Sequence, residues 1–224
     1  MIFTILGLIA LSSFPFIQGQ ADPVKVTVFY ESLCPYSREF FVDQLAPTYE
    51  QVGEIMLVET YAYGFETEIA RPSGDGYTFS CQHGSDECYG NKLIACGQKY
   101  LTDHEVFLDF NFCIMTSDYP PSYGVQCSNQ VGVSPDTIIG CANSTEGENL
   151  LHDVGVVQGQ QDPEVNYVPW VIINDVHSTI TEDEARAKLE IFGVSHLRRR
   201  TASSGATLEK EVTKIASLLF DVIK

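Results

Sequence analysis

The sequence predicts an α/β fold. Its sheet is assembled from the first and last parts of the chain and split by a disulfide-stapled α-helical insertion. Three observations predict it. Residues 24–30 are an apolar, β-branched run followed by a short loop, a cysteine and a helical pattern. From about 63 to 161 the β alternation fades, and six cysteines, many glycines and short helical patches take its place. At 168–175 (Val-Pro-Trp-Val-Ile-Ile-Asn-Asp) the β pattern returns. A length of 224 residues suits one domain with a large insertion.

In order, the run 24–30 reads as a buried strand. A helix follows, because Phe41, Leu45 and Tyr49 recur every four residues and Val42 widens the stripe. Strand, loop, then cysteine at a helix start is how disulfide oxidoreductases hold a nucleophile. The helix N-terminus offers free N–H groups and partial positive charge, which stabilise a thiolate. Pro35 fits the first turn, where no N–H is needed. The pattern expected at such a site is Cys-x-x-Cys, and this chain has Cys34-Pro35-Tyr36-Ser37. Residues 54–62, with Ile55, Leu57 and Val58, read as a second strand, parallel to the first through a βαβ crossover. In the insertion, Gly74-Asp75-Gly76 is a turn, 87–100 and 103–115 are helices, and Pro120-Pro121-Ser122-Tyr123-Gly124 breaks the chain again.

After the strand at 168–175, Asn174-Asp175 reads as a hairpin turn into a short strand at 176–180. Thr181-Glu182-Asp183-Glu184 is a capping box, opening a helix that buries Ala185, Leu189 and Phe192. Arg198-Arg199-Arg200 lies in an exposed linker, read as a solvated basic loop rather than a processing site. Leu208, Val212, Ile215, Leu219 and Val222 give the last helix one apolar face. The order βαβ, insertion, ββα and terminal helix is that of a thioredoxin-like fold split by an inserted subdomain.

Residues 1–19 read as a secretory signal peptide: an apolar run ending at small residues and a proline, though without a basic side chain before it. The run is too short, and too broken by Ser12, Ser13 and Pro15, to anchor in a membrane. The mature domain is then 20–224, and no other stretch could span a bilayer. A formal net charge of −17 argues against nucleic acid and anionic membrane surfaces as partners, since both are polyanions. Asn143-Ser144-Thr145 is an N-glycosylation sequon, as fits a secreted protein. In an oxidising compartment the seven cysteines read first as disulfides. Seven is odd, and Cys34 is the natural unpaired one because Ser37 holds its usual partner's place. Cys81, Cys88, Cys96, Cys113, Cys127 and Cys141 could form three bridges, and sequence alone does not choose the connectivity.

The insertion contains Cys81-Gln82-His83-Gly84, then Glu87-Cys88, Asn91 and Cys96. This resembles the signature CQHGxxECxxNxxxxC of the gamma-interferon-inducible lysosomal thiol reductase (GILT) family, with every defining residue at the right spacing. The resemblance extends over about residues 24 to 175 and is greatest to insect members, mosquito ones in particular. The absence of a cysteine after Cys141 sets the chain apart from mammalian members. The resemblance implies a soluble, glycosylated protein of the secretory and endocytic route, secreted or alternatively lysosomal, that reduces disulfides of protein substrates at acidic pH. It implies a redox centre at Cys34 to Ser37 and a cis-proline at Pro169, presenting the Val168 backbone to an extended substrate chain as an added strand. Zinc on Cys81, Cys88, Cys96 and His83 is disfavoured, because the gaps between the cysteines are longer than zinc sites use and the compartment favours disulfides. His83 reads as a structural hydrogen-bonding residue rather than a base. Neither a metal nor a cofactor is expected.

Ser37 changes the expected chemistry. Cys34 can attack a substrate disulfide and form a mixed disulfide, but a hydroxyl cannot release it as a second thiol would. Two classes of function compete: a monothiol oxidoreductase, and a secreted protein that binds other proteins and has given up dithiol chemistry. The expectation is absent or much reduced reductase activity, with action by protein binding. A Cys34–Cys34 dimer is a variant of the same reading.

Overall fold

The computed structural model describes residues 23–177. β1 (Val24–Tyr30) leads into a helical run of three parts: α1 (Pro35–Phe40), a wide turn over Phe41–Leu45, and α2 (Ala46–Val52). Pro47 explains the wide turn. It has no N–H to bond the carbonyl four residues back, and the helix takes up an extra residue there, with Ala46 N–H donating to the Phe41 carbonyl. Phe41 and Leu45 stay fully buried, but Val42, assigned above to the apolar stripe, faces solvent. A 3-10 turn at Gly53–Ile55 prolongs the run, so β2 (Met56–Ala62) starts two residues later than the sequence suggests.

The insertion is not wholly helical. It opens with a hairpin of β3 (Thr67–Ala70) and β4 (Tyr77–Ser80), closed through the expected turn at Gly74-Asp75-Gly76. Strands of four residues, with Ile69 exposed, offer too few alternating positions to show in a sequence. Helices follow: α3 (Ser85–Tyr100), α4 (His104–Met115), α5 (Gly124–Gln130), α6 (Pro135–Ala142) and α7 (Thr145–Gly159). Their starts have local causes. Asp103 caps α4, accepting from the N–H groups of Glu105 and Val106 at 3.0 and 3.3 Å. Pro135 opens α6, and the Ser144 hydroxyl caps α7. The six cysteines pair as Cys81–Cys88, Cys96–Cys141 and Cys113–Cys127, the last two joining α3 to α6 and α4 to α5.

β5 (Trp170–Ile173) returns beside β1, antiparallel to it, while β2 lies parallel on the other side. β1 is therefore the middle strand, and alternation divides its side chains. Val24, Val26, Val28 and Tyr30 join Phe41, Leu45, Val171, Ile173 and the insertion helices in the main core. Phe29 turns the other way and packs with Cys34, Val168, Trp170 and Ile172. One buried polar chain ties insertion to sheet: Tyr30 O–H donates to Asn111 Oδ1 at 2.8 Å, and Asn111 Nδ2 donates to Thr60 Oγ1 at 2.9 Å. After β5, Asn174 and Asp175 take left-handed conformations and Ile173 bridges to Val176, the two-residue turn the sequence suggests. The signal peptide, the strand beyond 177, the capping box, the arginine run and the last helix lie outside the described residues. Among the described residues, no helix is long and apolar enough to cross a membrane.

Candidate functional site

Cys34 is the N-cap residue of α1, with Pro35 in the first helical turn and Arg38 N–H donating to the Cys34 carbonyl at 3.0 Å. It is the free cysteine and is 5% exposed. Its Sγ lies 4.0 Å from the Val168 carbonyl, and the Val168–Pro169 peptide is cis. Sheet pairing brings them together: β5 runs beside β1, which leads to Cys34, so the residues before Trp170 arrive at the start of α1. Ser37, one turn on, is fully buried and points inward, its Oγ accepting from Glu31 N–H at 3.5 Å.

The residues of the CQHG–EC–N motif hold the loop that carries Cys34. Asn91 Oδ1 accepts from Ser32 N–H at 2.9 Å, and the Ser32 hydroxyl donates to the Glu87 carbonyl at 3.2 Å. His83 Nδ1 lies 2.6 Å from Glu87 Oε2 and 3.4 Å from Glu31 Oε2, joining two buried carboxylates. Glu87 also accepts from His83 N–H at 2.9 Å, and Glu31 from Phe65 N–H at 2.7 Å. The Cys81–Cys88 bridge closes this turn onto the start of α3. Gly84 caps α3 at φ +90°, which explains a glycine at that motif position. Gly64 serves the same loop: any Cβ there would meet the Glu31 side chain at 2.3 Å. Gln82 is exposed, and Cys96 is bonded to Cys141 at the far end of α3. Asn143 is exposed at the end of α6, its side-chain amide donating to the Ile139 carbonyl.

Burial acts on two carboxyls here, Glu31 and Glu66. It raises the Glu31 carboxyl, the Phe65 hydrogen bond opposes that, Glu87 adds to the rise and His83 opposes it. Glu66 is pushed up to about 9, first by burial, then by Glu87, Glu31 and Glu68 nearby, with Asn91 opposing. Glu66 is therefore protonated at neutral pH. Cys81, in a disulfide, has no proton to give, so the Glu66 carboxyl is the donor, its Oε2 lying 2.7 Å from that sulfur.

The zinc set weighed on sequence does not assemble, because Cys81, Cys88 and Cys96 are all in disulfides. Glu31, His83 and Glu87 do converge, but Glu87 and His83 already touch at hydrogen-bond distance, and two ligands of one zinc ion, each about 2.0–2.2 Å from it, would stand farther apart. Sequence reading singles out Cys34, Ser37, Pro169 and the motif, and it does not single out Glu31, Ser32 or Glu66, which the fold places among them. A carboxylate directly after an apolar strand was the available signal for Glu31.

A cysteine capping the helix after β1, set against the residues that lead into an antiparallel β5, is the arrangement of a thioredoxin-like fold. Comparison with solved structures agrees on the fold: Chlamydia trachomatis DsbA superposes with a TM-score of 0.51 at 16% identity, over 90% of this chain and 98% of that one. The family model described as "Gamma interferon inducible lysosomal thiol reductase (GILT)" matches residues 25–131. The "Gamma-interferon-inducible lysosomal thiol reductase-like protein" of Anopheles gambiae is 30% identical over 80% of this chain and 76% of its own length. The "Gamma-interferon-inducible lysosomal thiol reductase" of Carassius auratus is 35% identical, but the match spans 75% of this chain and 66% of that protein, just under two thirds of its length. The chain belongs to the GILT family.

Proposed function

We propose that this protein is a GILT-family member of the secretory route that captures protein disulfides through Cys34 and turns them over poorly. The observation that carries this reading is the thiol inventory. Of seven cysteines, six are paired in disulfides and Cys34 is free, while Ser37 fills the resolving position. The Cys34 thiolate attacks one sulfur of a substrate disulfide, and the other sulfur leaves as a thiolate and takes a proton from solvent. The product is a Cys34–substrate mixed disulfide. Release requires a second thiol, and the chain holds none. Binding through a long-lived adduct is the consequence. A second reading, a monothiol oxidoreductase completed by an external thiol, is favoured by the intact placement of Cys34 beside Val168 and cis-Pro169.

Reduction of insulin at acidic pH with limiting external thiol tests the reading. Wild type should be slow, Cys34→Ser should abolish what remains, and Ser37→Cys should raise the rate about a hundredfold or more, the advantage of a tethered over a free thiol. Equal turnover by wild type and Ser37→Cys would overturn it.

A further inference from the structure

The helical run that follows Cys34 carries two carboxylates that the fold does not use. Glu39 and Asp43 stand one turn apart on the helical run that Cys34 caps, and both are exposed. Neither has a hydrogen bond or ion pair with a described residue. With Tyr36, Phe40, Gln44 and Pro169 they line a groove of about 230 Å³. Arg38, the adjacent cation in sequence, is turned away, its guanidinium donating to the carbonyls of Ser117 and Asp118. Tyr36, 68% exposed, adds an aromatic wall, a surface that attracts lysine and arginine side chains. The groove reaches Pro169, whose neighbour Val168 has its carbonyl 4.0 Å from Cys34 Sγ. The Val168–Pro169 peptide thus links the Cys34 thiol to the groove that Glu39 and Asp43 line.

We propose that this groove selects disulfide-bonded polypeptides that carry lysine or arginine next to the reacting cysteine. The proposal rests on Cys34 acting as nucleophile. The overall charge of −17 attracts any cation weakly, but Glu39 and Asp43 place negative charge where the flanking residues of a captured chain lie.

Two peptides test it, identical except for lysines or glutamates beside a single cysteine held as a mixed disulfide with thionitrobenzoate. The Cys34 thiolate attacks the peptide sulfur, the Cys34–peptide disulfide forms, and the coloured thionitrobenzoate anion leaves, being the better leaving group. At low salt the lysine peptide should be captured about tenfold faster, and the ratio should shrink as ionic strength rises. The double variant Glu39→Gln, Asp43→Asn should bring the ratio close to unity. The control Glu50→Gln, Glu54→Gln, exposed carboxylates farther along the same run, should leave it in place. Equal rates for the two peptides, or an equal loss of preference in both double variants, would overturn the proposal. So would faster capture of both peptides when Arg198, Arg199 and Arg200 are replaced by serine, which would assign the groove to the chain's own basic run. The small uncharged-tail probe, mercaptoethanol linked to thionitrobenzoate, separates the two levels. Failure to react with it sinks Cys34 as nucleophile, and reaction with it but no discrimination between peptides sinks the groove alone.

Discussion

Glu66 should make this protein more stable in acid than at neutral pH. Its carboxyl is pushed from an ordinary 4.5 up to about 9 in the fold, mainly by burial. Between those values the folded state keeps a proton that the unfolded state has lost. Stability is therefore full below the unfolded value and falls as pH rises toward the folded one, by about 1.36 kcal/mol per pH unit for one group. From about pH 5.5 to about pH 7.5 the loss from Glu66 alone is on the order of 3 kcal/mol. Glu31 shifts in the same direction, again chiefly by burial. Glu66→Gln removes the titration while keeping a donor for the Cys81 sulfur, so it should flatten the pH dependence and stabilise the protein at neutral pH. Urea unfolding under non-reducing conditions, across that range, reads both effects. Wild type equally stable at both ends, or a Glu66→Gln variant that keeps the full slope, would refute the argument.

The disulfides should rank by the loop each closes. Removing Cys96–Cys141, across 45 residues, should cost about 4 kcal/mol, and Cys81–Cys88, across 7, about 2.5 kcal/mol; denaturant unfolding of paired Cys→Ser variants gives the order, and a reversed order would count against it. Asn91→Ala should strand the buried Ser32 N–H at a cost of about 1–3 kcal/mol and loosen the loop before Cys34. It should also speed alkylation of Cys34 more than an equally destabilising change in α5 does, and equal acceleration would show that the motif does not hold that loop.

The parts of this fold that announce themselves in sequence are those with long, regular patterns. The run before Cys34 is buried on both faces and reads as a buried strand, and Asp103 and the α4 pattern mark their helix at both ends. The hairpin at Thr67–Ala70 and Tyr77–Ser80 is legible only through its glycine turn. Its strands are held on α7 by side chains remote in sequence: His152 stacks on Tyr77 and pairs with Glu68 at 2.5 Å. The exposure of Val42 follows from Pro47, five residues on, which a stripe of spacings cannot register. At the site, the motif was visible but its work was not. His83 reads as a structural hydrogen-bonding residue in the sequence, yet its partner Glu31 lies fifty-two positions upstream, and only folding brings the two carboxylates to one imidazole.

Cys34 caps α1 and faces the Val168 carbonyl, and position 37 holds a serine. Ser37 is not a loose end. It is fully buried and accepts from Glu31 N–H in the same loop that Asn91 and Glu87 hold. The other six cysteines are bonded to one another, so on the function proposed above an adduct on Cys34 is resolved by a thiol from outside the chain. The lifetime of that adduct is then set by the external thiol and by pH. A free thiol with a pKa of about 8.5 loses about a hundredfold of its thiolate between pH 7 and pH 5, and thiolate is the attacking species. Acid thus favours the folded state through Glu66 and prolongs a captured disulfide at the same time. The same chain would act as a slow reductase where thiols are abundant and the pH is neutral, and as a covalent binder where they are scarce and the pH is low.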